Sequence, residues 1–158
     1  MLLSGRVLQE GGRPAVNFLV EIWQADAKGR FDHPADRRNE AADPNFAFWG
    51  RALTDGEGRY GFRTIKPGLV PAATGEASAP YIAVTLLGSG LMRRLVTRVY
   101  FPDDPHNVTD PLLRRIDPAV RNRLVARPDT RSDMPKDALA LIFDIVLRGE
   151  GETPFLTD

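Results

Sequence analysis

The sequence contains no cysteine. Disulfides, thiolate nucleophiles and cysteine-ligated zinc are therefore excluded as sources of stability or chemistry. Histidine is nearly as scarce, with His33 and His106 the only two in 158 residues. Each stands beside a proline in a polar stretch, and neither belongs to an His-x-His or HExxH pattern. A zinc site of a familiar kind is not indicated, and a surface role is the plain reading of both. No apolar run approaches the ~20 residues of a membrane-spanning helix. The opening MLLSGRVLQEGG lacks the charged head and long apolar body of a secretory signal, so a cytoplasmic location is expected. An excess of charge is missing too. Lys and Arg total 21 and Asp and Glu total 21, and a formal net charge of zero argues against a dedicated nucleic-acid binder.

What is present is a 42% hydrophobic chain of a length suited to one domain with a sizeable core, taken as residues 1–158. The patterning is mostly of period two. LLSGRVLQ opens as a strand. In NFLVEIWQA (17–25), Phe18, Val20 and Ile22 face one way, and Leu19 and Trp23 the other. RALTDGEGRYGFRTI (51–65) has the form of a hairpin about DGEG. APYIAVTLL (79–87) and RRLVTRVYF (93–101) read as strands joined at Gly88 and Gly90, and ALALIFDIVLRG (138–149) as the longest and most central strand. One short helix is expected in IDPAVRNRLVA, capped by Asp117 with Pro118 in its first turn. The sum is an all-β fold: a β-sandwich of antiparallel sheets with two long loops (27–48 and 102–137) and one short helix. The first strand begins so early that its edge invites cover by a partner. The closing EGETPFLTD reads as a tail that needs a neighbour.

The search for chemistry returns little. Asp26, Asp32, Asp36, Asp43, Asp55 and Glu57 lie mostly in turn-like stretches, where bonds to backbone amides explain them better than an acid–base pair does. Asp103 and Asp104 read as turn caps. Ser4, Ser78, Ser89 and Ser132 have no nucleophile elbow around them. GSG (88–90) does not precede a helix, so it is a turn and not a phosphate cradle. Arg93, Arg94 and Arg98 alternate with apolar residues and suit a solvated or partner-facing edge. Trp23 and Tyr60 sit in alternating strands and read as core. NFAFWG, with Phe46, Phe48 and Trp49, is either a satellite core or a contact with another chain. No catalytic set emerges from the residues alone.

Several stretches together carry a resemblance. LSGRVLQEGGRPAVNFLVEIWQADAKGRF, DPNFAFWGRALTDGEGRYGFRTIKPG, RRLVTRVYFPDD and FDIVLRGEGETPF resemble the intradiol ring-cleaving dioxygenases over nearly the whole chain. Within that family the likeness is to the protocatechuate 3,4-dioxygenases, and RGEGETPF resembles their alpha subunits. The resemblance implies a β-sandwich core and a ferric ion held by two tyrosines and two histidines. Anionic phenolates favour the ferric state, and the histidines leave room for a bidentate catecholate. Carried over one at a time, the tyrosine positions fall on Phe31 and Val70, and the histidine positions on Tyr81 and Ala83. Ala72 and Ser78 fall where the family places an aromatic and an arginine near the ring.

The implied reading is a vacated site, with no catalytic, cofactor-binding or metal-ligating residue of its own. As a subunit, the chain would support a related iron-bearing beta subunit. Fe(III) would lie in that partner, and protocatechuate and O2 would react there to give 3-carboxy-cis,cis-muconate. The isolated chain would be inactive. The family's pocket-wall arginine falls at Ser89, with Arg93 and Arg94 nearby as substitutes, and the family's N-terminal arm is missing from this sequence. A free-standing structural or binding pseudoenzyme of the same fold is the alternative, distinguished by whether a related chain with all four ligands co-purifies. A carboxylate hydrolase is a third, weaker reading.

Overall fold

A computed structural model of the chain describes residues 1–38, 40–71, 75–131 and 139–156. Its strands are β1 (Leu2–Leu8), β2 (Leu19–Gln24), β3 (Trp49–Leu53), β4 (Arg59–Arg63), β5 (Val70–Pro71), β6 (Ala77–Ser78), β7 (Tyr81–Leu87), β8 (Leu95–Tyr100), β9 (Arg127–Pro128), β10 (Ala140–Ile142) and β11 (Ile145–Val146). One sheet runs β3-β2-β7-β8 with every pairing antiparallel. The other is built around β1, which takes β4 on one side and β10 and β11 on the other, with β9 beyond β10. β5 and β6 form a small separate ribbon.

The two large sheets close over one core, as the alternation requires. Leu3, Val7, Tyr60, Leu141, Phe143 and Ile145 come from the β1 sheet, and Val20, Ile22, Ile82, Val84, Leu86 and Val99 from the β2 sheet. Each large aliphatic side chain so buried contributes about 1.5–3 kcal/mol. The expected β-sandwich of antiparallel sheets is the fold observed. The parallel pairing of β1 with β10 and β11 is its exception.

Several local expectations are corrected. The segment 51–65 is not a hairpin: β3 pairs with β2 and β4 with β1, so the DGEG turn carries the chain from one sheet to the other. Asp55 holds that corner by accepting from the amides of Glu57 and Arg59, and Gly58 adopts φ 73° there. The segment 138–149 is not the longest strand, because it breaks into β10 and β11 at Phe143–Asp144. The break has a local cause. The Phe143 carbonyl tucks into the space that a side chain at Gly5 would fill, and accepts the Tyr60 hydroxyl at 2.5 Å. The Asp144 carboxylate then takes the Arg6 amide at 2.9 Å.

Helix exceeds the single expected element. α1 (Pro111–Arg115) precedes α2 (Pro118–Arg121), which continues into a 3-10 turn. Asp117 caps α2 through the Ala119 amide, as anticipated. Buried Asp110 caps α1 through Leu112 and Leu113, and also accepts the Tyr100 hydroxyl and the Ala79 amide. Asp104 caps the 3-10 turn at Pro105–Val108. The edge of β1 is not open, since strands flank it on both sides. The tail is held within the chain: Leu156 donates to the Val96 carbonyl at 2.7 Å, and Thr97 to the Pro154 carbonyl at 2.9 Å. Among the described residues no helix is long and apolar enough to cross a membrane.

Candidate functional site

The site is assembled where the connection after β2 meets the connection after β4. Asp26, 2% exposed, organises the first. Its Oδ1 accepts the amides of Lys28 and Arg30, both at 2.9 Å, and its Oδ2 accepts the Asp43 amide at 3.2 Å. Its backbone carbonyl accepts from Gly29 and from Gly68, both at 2.9 Å, and so ties the two connections together. Glycine is needed on both sides of this junction. Gly29 has φ 77°, and a Cβ there would lie 1.8 Å from the Leu69 carbonyl oxygen. A Cβ on Gly68 would lie 2.5 Å from the Gly29 nitrogen. Buried Gln24 adds a second tie, donating to the Ile65 carbonyl at 2.9 Å and accepting the Thr64 hydroxyl at 2.7 Å.

The junction brings Phe31 and Val70 to one cavity of about 390 Å³, with Trp23, His33, Asp36, Arg37, Arg38 and Pro71 around them. Phe31 is fixed from both sides. Its ring lies 5.0 Å from that of Trp23, and its amide donates to Asp36 at 3.0 Å. Asp36 is clamped by Arg30 and Arg38. The Arg38 hydrogen bond holds the Asp36 carboxyl well below the usual carboxylate range, against the opposing effect of burial. His33 is exposed, as expected of a surface histidine, and packs edge-on to Trp23 at 5.8 Å.

Trp23 also borders a second cavity, of about 530 Å³, with Glu21, Trp49, Arg51, Ala83, Thr85, Arg94 and Val96. Here the sequence reading of Trp23 as core is corrected. It points outward, is 42% exposed, and stands in register with Trp49 on β3 and Ala83 on β7. Tyr60 is core, as read. Trp49 begins a strand, is 61% exposed, and lies under the Arg51 guanidinium at 5.2 Å. Phe48 is the buried member of its cluster, with φ 62° and its ring 5.0 Å from Phe46. Tyr81 sits two residues before Ala83 on the same face of β7, with the Arg98 guanidinium 3.9 Å over its ring.

Of the four positions singled out by resemblance, Phe31 and Val70 share the first cavity and Ala83 borders the second, with Trp23 common to both; Tyr81 lines neither and packs, half-buried, against the cluster of Ala79, Tyr100 and Leu113. Ser78 lies in β6, opposite Val70. Arg94 borders the second cavity, whereas Ser89 and Arg93 are exposed in the turn between β7 and β8, roughly 20 Å along the strand from Ala83. Ala72 and Ser132 lie outside the described residues.

Sequence and structure comparisons agree on the ancestry of this arrangement. The Dioxygenase_C model, described as a dioxygenase, matches residues 1–149. The chain belongs to the intradiol dioxygenase family. It is 46% identical to the protocatechuate 3,4-dioxygenase beta chain of Burkholderia cepacia over 98% of its length, and spans 66% of that relative, about two thirds. It is 35% identical to the alpha chain of the Pseudomonas putida enzyme, again over 98% of its length and 74% of the relative. The dioxygenase domain of a dioxygenase–carbohydrate-binding protein fusion from Streptomyces sp. SirexAA-E superposes with a TM-score of 0.68 at 30% identity, covering 97% of this chain and 79% of that one.

An iron centre of the kind this family implies does not fit the residues present. Phe31, Val70 and Ala83 carry no lone-pair donor, and a single phenol at Tyr81 cannot hold a labile ferric ion. Asp36 is committed to Arg30 and Arg38. Among the described residues no group of three or more His, Asp or Glu side chains is placed to hold a cation.

Asp26 was read as a turn carboxylate bonded to backbone amides, as it is; sequence reasoning missed the Gly29–Gly68 pair and the tie that the Asp26 carbonyl makes across it. The signal for Gly29 was the stretch DAKG (26–29), in which a glycine follows the turn aspartate by three residues.

Proposed function

We propose that this intradiol dioxygenase homologue is an iron-free, alpha-type subunit of a two-chain protocatechuate 3,4-dioxygenase. The reading rests on one observation: three of the positions that resemblance assigns to the family's ligands line two cavities sharing Trp23, with side chains that carry no donor atom. Phe31 and Val70 still meet at one cavity, and Tyr81 and Ala83 still line the neighbouring strand. Similarity to both an alpha and a beta chain of that enzyme supports a partnership with a related chain. The chain type is inferred from the side chains, since three of four positions lack any ligand atom.

In this reading the related beta chain holds the Fe(III), and protocatechuate and O2 combine there to 3-carboxy-cis,cis-muconate, both oxygen atoms entering the opened ring product. This chain contributes shape. Trp23, Trp49 and Ala83 offer an exposed apolar wall that a docked partner would shield from water.

Co-expression with a related chain carrying both tyrosines and both histidines tests the proposal. The pair is expected to co-purify with iron equal to the partner's content and to consume O2 with protocatechuate. This chain purified alone is expected to be colourless and inactive. One equivalent of iron with ring-cleaving activity in the lone chain would overturn the proposal.

A further inference from the structure

The sheet β3-β2-β7-β8 turns one face to the core, and its outer face is covered over one end only. There α1 and the 3-10 turn after α2 lie on it, and Tyr100, Leu113 and Leu124 make a second small core. Among the described residues nothing covers the rest. Strand register sets out what is left bare. Trp49 and Trp23 stand side by side in one rung, and Leu53, Leu19 and Leu87 in another. Between them lies the Arg51–Glu21 ion pair at 2.5 Å. The outer face of an antiparallel sheet is ordinarily polar. Here Trp49 and Leu53 are 61% and 64% exposed, and Trp23 and Leu87 42% and 38%.

Area and charge both bear on what fits this face. The four side chains leave on the order of 400 Å² of apolar surface bare, as large as the functional patches of ordinary monomers. A stable interface takes about 800 Å² from each partner, so the patch supplies about half of one, in the proportion of an apolar centre to its polar rim. The charge is placed to one side. The indole rung runs on through Ala83 to Arg98 at the β8 edge, where the guanidinium stacks 3.9 Å over Tyr81. A two-fold axis parallel to the strands lays the β8 edge of one copy over the β3 edge of the other. Arg98 then meets the second copy's indole, and a planar guanidinium can stack on either of its sides. The chain already makes this kind of contact within itself, with Arg51 over Trp49 at 5.2 Å. The Arg98 side chains of the two copies stay about 14 Å apart across the sheet, so they do not oppose each other. The face is complementary to itself.

We propose that two copies of this chain pack together through the bare part of the β3-β2-β7-β8 face, sheet on sheet about a two-fold axis. The inference does not depend on the function proposed above. A related partner chain docking at the same wall would compete with the second copy.

The test is sedimentation equilibrium of the chain purified alone, over a range of concentrations. A reversible dimer with a dissociation constant on the order of 1 μM is expected. Tryptophan emission should shift to shorter wavelength as the dimer forms. Trp49→Glu, which puts a carboxylate at the centre of the contact, is expected to weaken association about tenfold or more. Leu53→Glu is the second variant should Trp49→Glu fail to fold by its thermal transition. Arg148→Glu, on an exposed arginine beyond β11 in the other sheet, should leave the dimer intact. The proposal falls if the chain remains a monomer at about a hundred times that constant, as a face reserved for a different chain would leave it. It also falls if a dimer forms and the folded glutamate variants at positions 49 and 53 associate as the parent does, since the contact would then lie elsewhere.

Discussion

Replacing Gly29 with alanine should damage the junction that holds Phe31 and Val70 together. Two costs add. A non-glycine residue at φ 77° pays about 1 kcal/mol for the left-handed backbone. The new methyl would also start 1.8 Å from the Leu69 carbonyl oxygen, which is backbone and cannot rotate away. Forcing such a contact apart costs about 1–3 kcal/mol. The expected loss is therefore about 3 kcal/mol, or about 9 °C in Tm for a chain of this size. Gly12→Ala is the matched control. Its φ of 76° is nearly the same, but nothing lies within 4 Å of the added methyl, so only the first cost of about 1 kcal/mol remains. Urea unfolding of both variants isolates the clash as their difference. Hydrogen exchange locates it: the Gly68 amide, which donates to Asp26 across the junction, should exchange faster in Gly29→Ala and not in Gly12→Ala. Stabilities for the two variants within 0.5 kcal/mol of each other would refute the reasoning.

Tyr60→Phe removes the buried hydroxyl that satisfies the Phe143 carbonyl, and should lower unfolding free energy by about 1–3 kcal/mol in urea titration. The folded-state pKa of Asp36 lies below its unfolded value, so its contribution is present above roughly pH 4 and lost as pH falls through the folded value. Stability measured from pH 5 to pH 2 should therefore fall more steeply in the parent than in Asp36→Asn; parallel profiles would exclude the clamp. Restoring all four donors together, as Phe31→Tyr, Val70→Tyr, Tyr81→His and Ala83→His, should convert an iron-poor chain into one that takes up ferric ion with a visible phenolate charge-transfer band. Iron content unchanged from the parent would show that the wall has lost more than its ligand atoms.

The strands of this fold were legible because a half-buried strand writes its two faces into alternate residues. Val20 and Ile22 in β2, and Ile82, Val84 and Leu86 in β7, all lie on the buried face. The same alternation put Trp23 on the opposite face, and its size alone suggested core. The partner of each strand was not legible. Arg59–Arg63 has the same period whether it pairs with β3 or β1, and only the packing of the whole chain sends it to β1. The break between β10 and β11 was hidden for a related reason: it depends on a glycine in β1 and a tyrosine in β4. The four positions carried over from the family could be located by resemblance, but the Asp26 junction that brings two of them together depends on bonds to backbone amides from two separate connections.

The central place of β1 sets the order of events at synthesis. β1 pairs in parallel with strands 138 residues further along the chain, Leu2 with Ala140 and Val7 with Ile145, so synthesis delivers it long before those neighbours. Until then one side of it has no ladder, and the sandwich cannot shut. Such distant pairing makes for slow closure and a long exposure of bare strand to other nascent chains. The interval before β10 and β11 emerge is therefore the one in which β1 is most open to pairing with another chain.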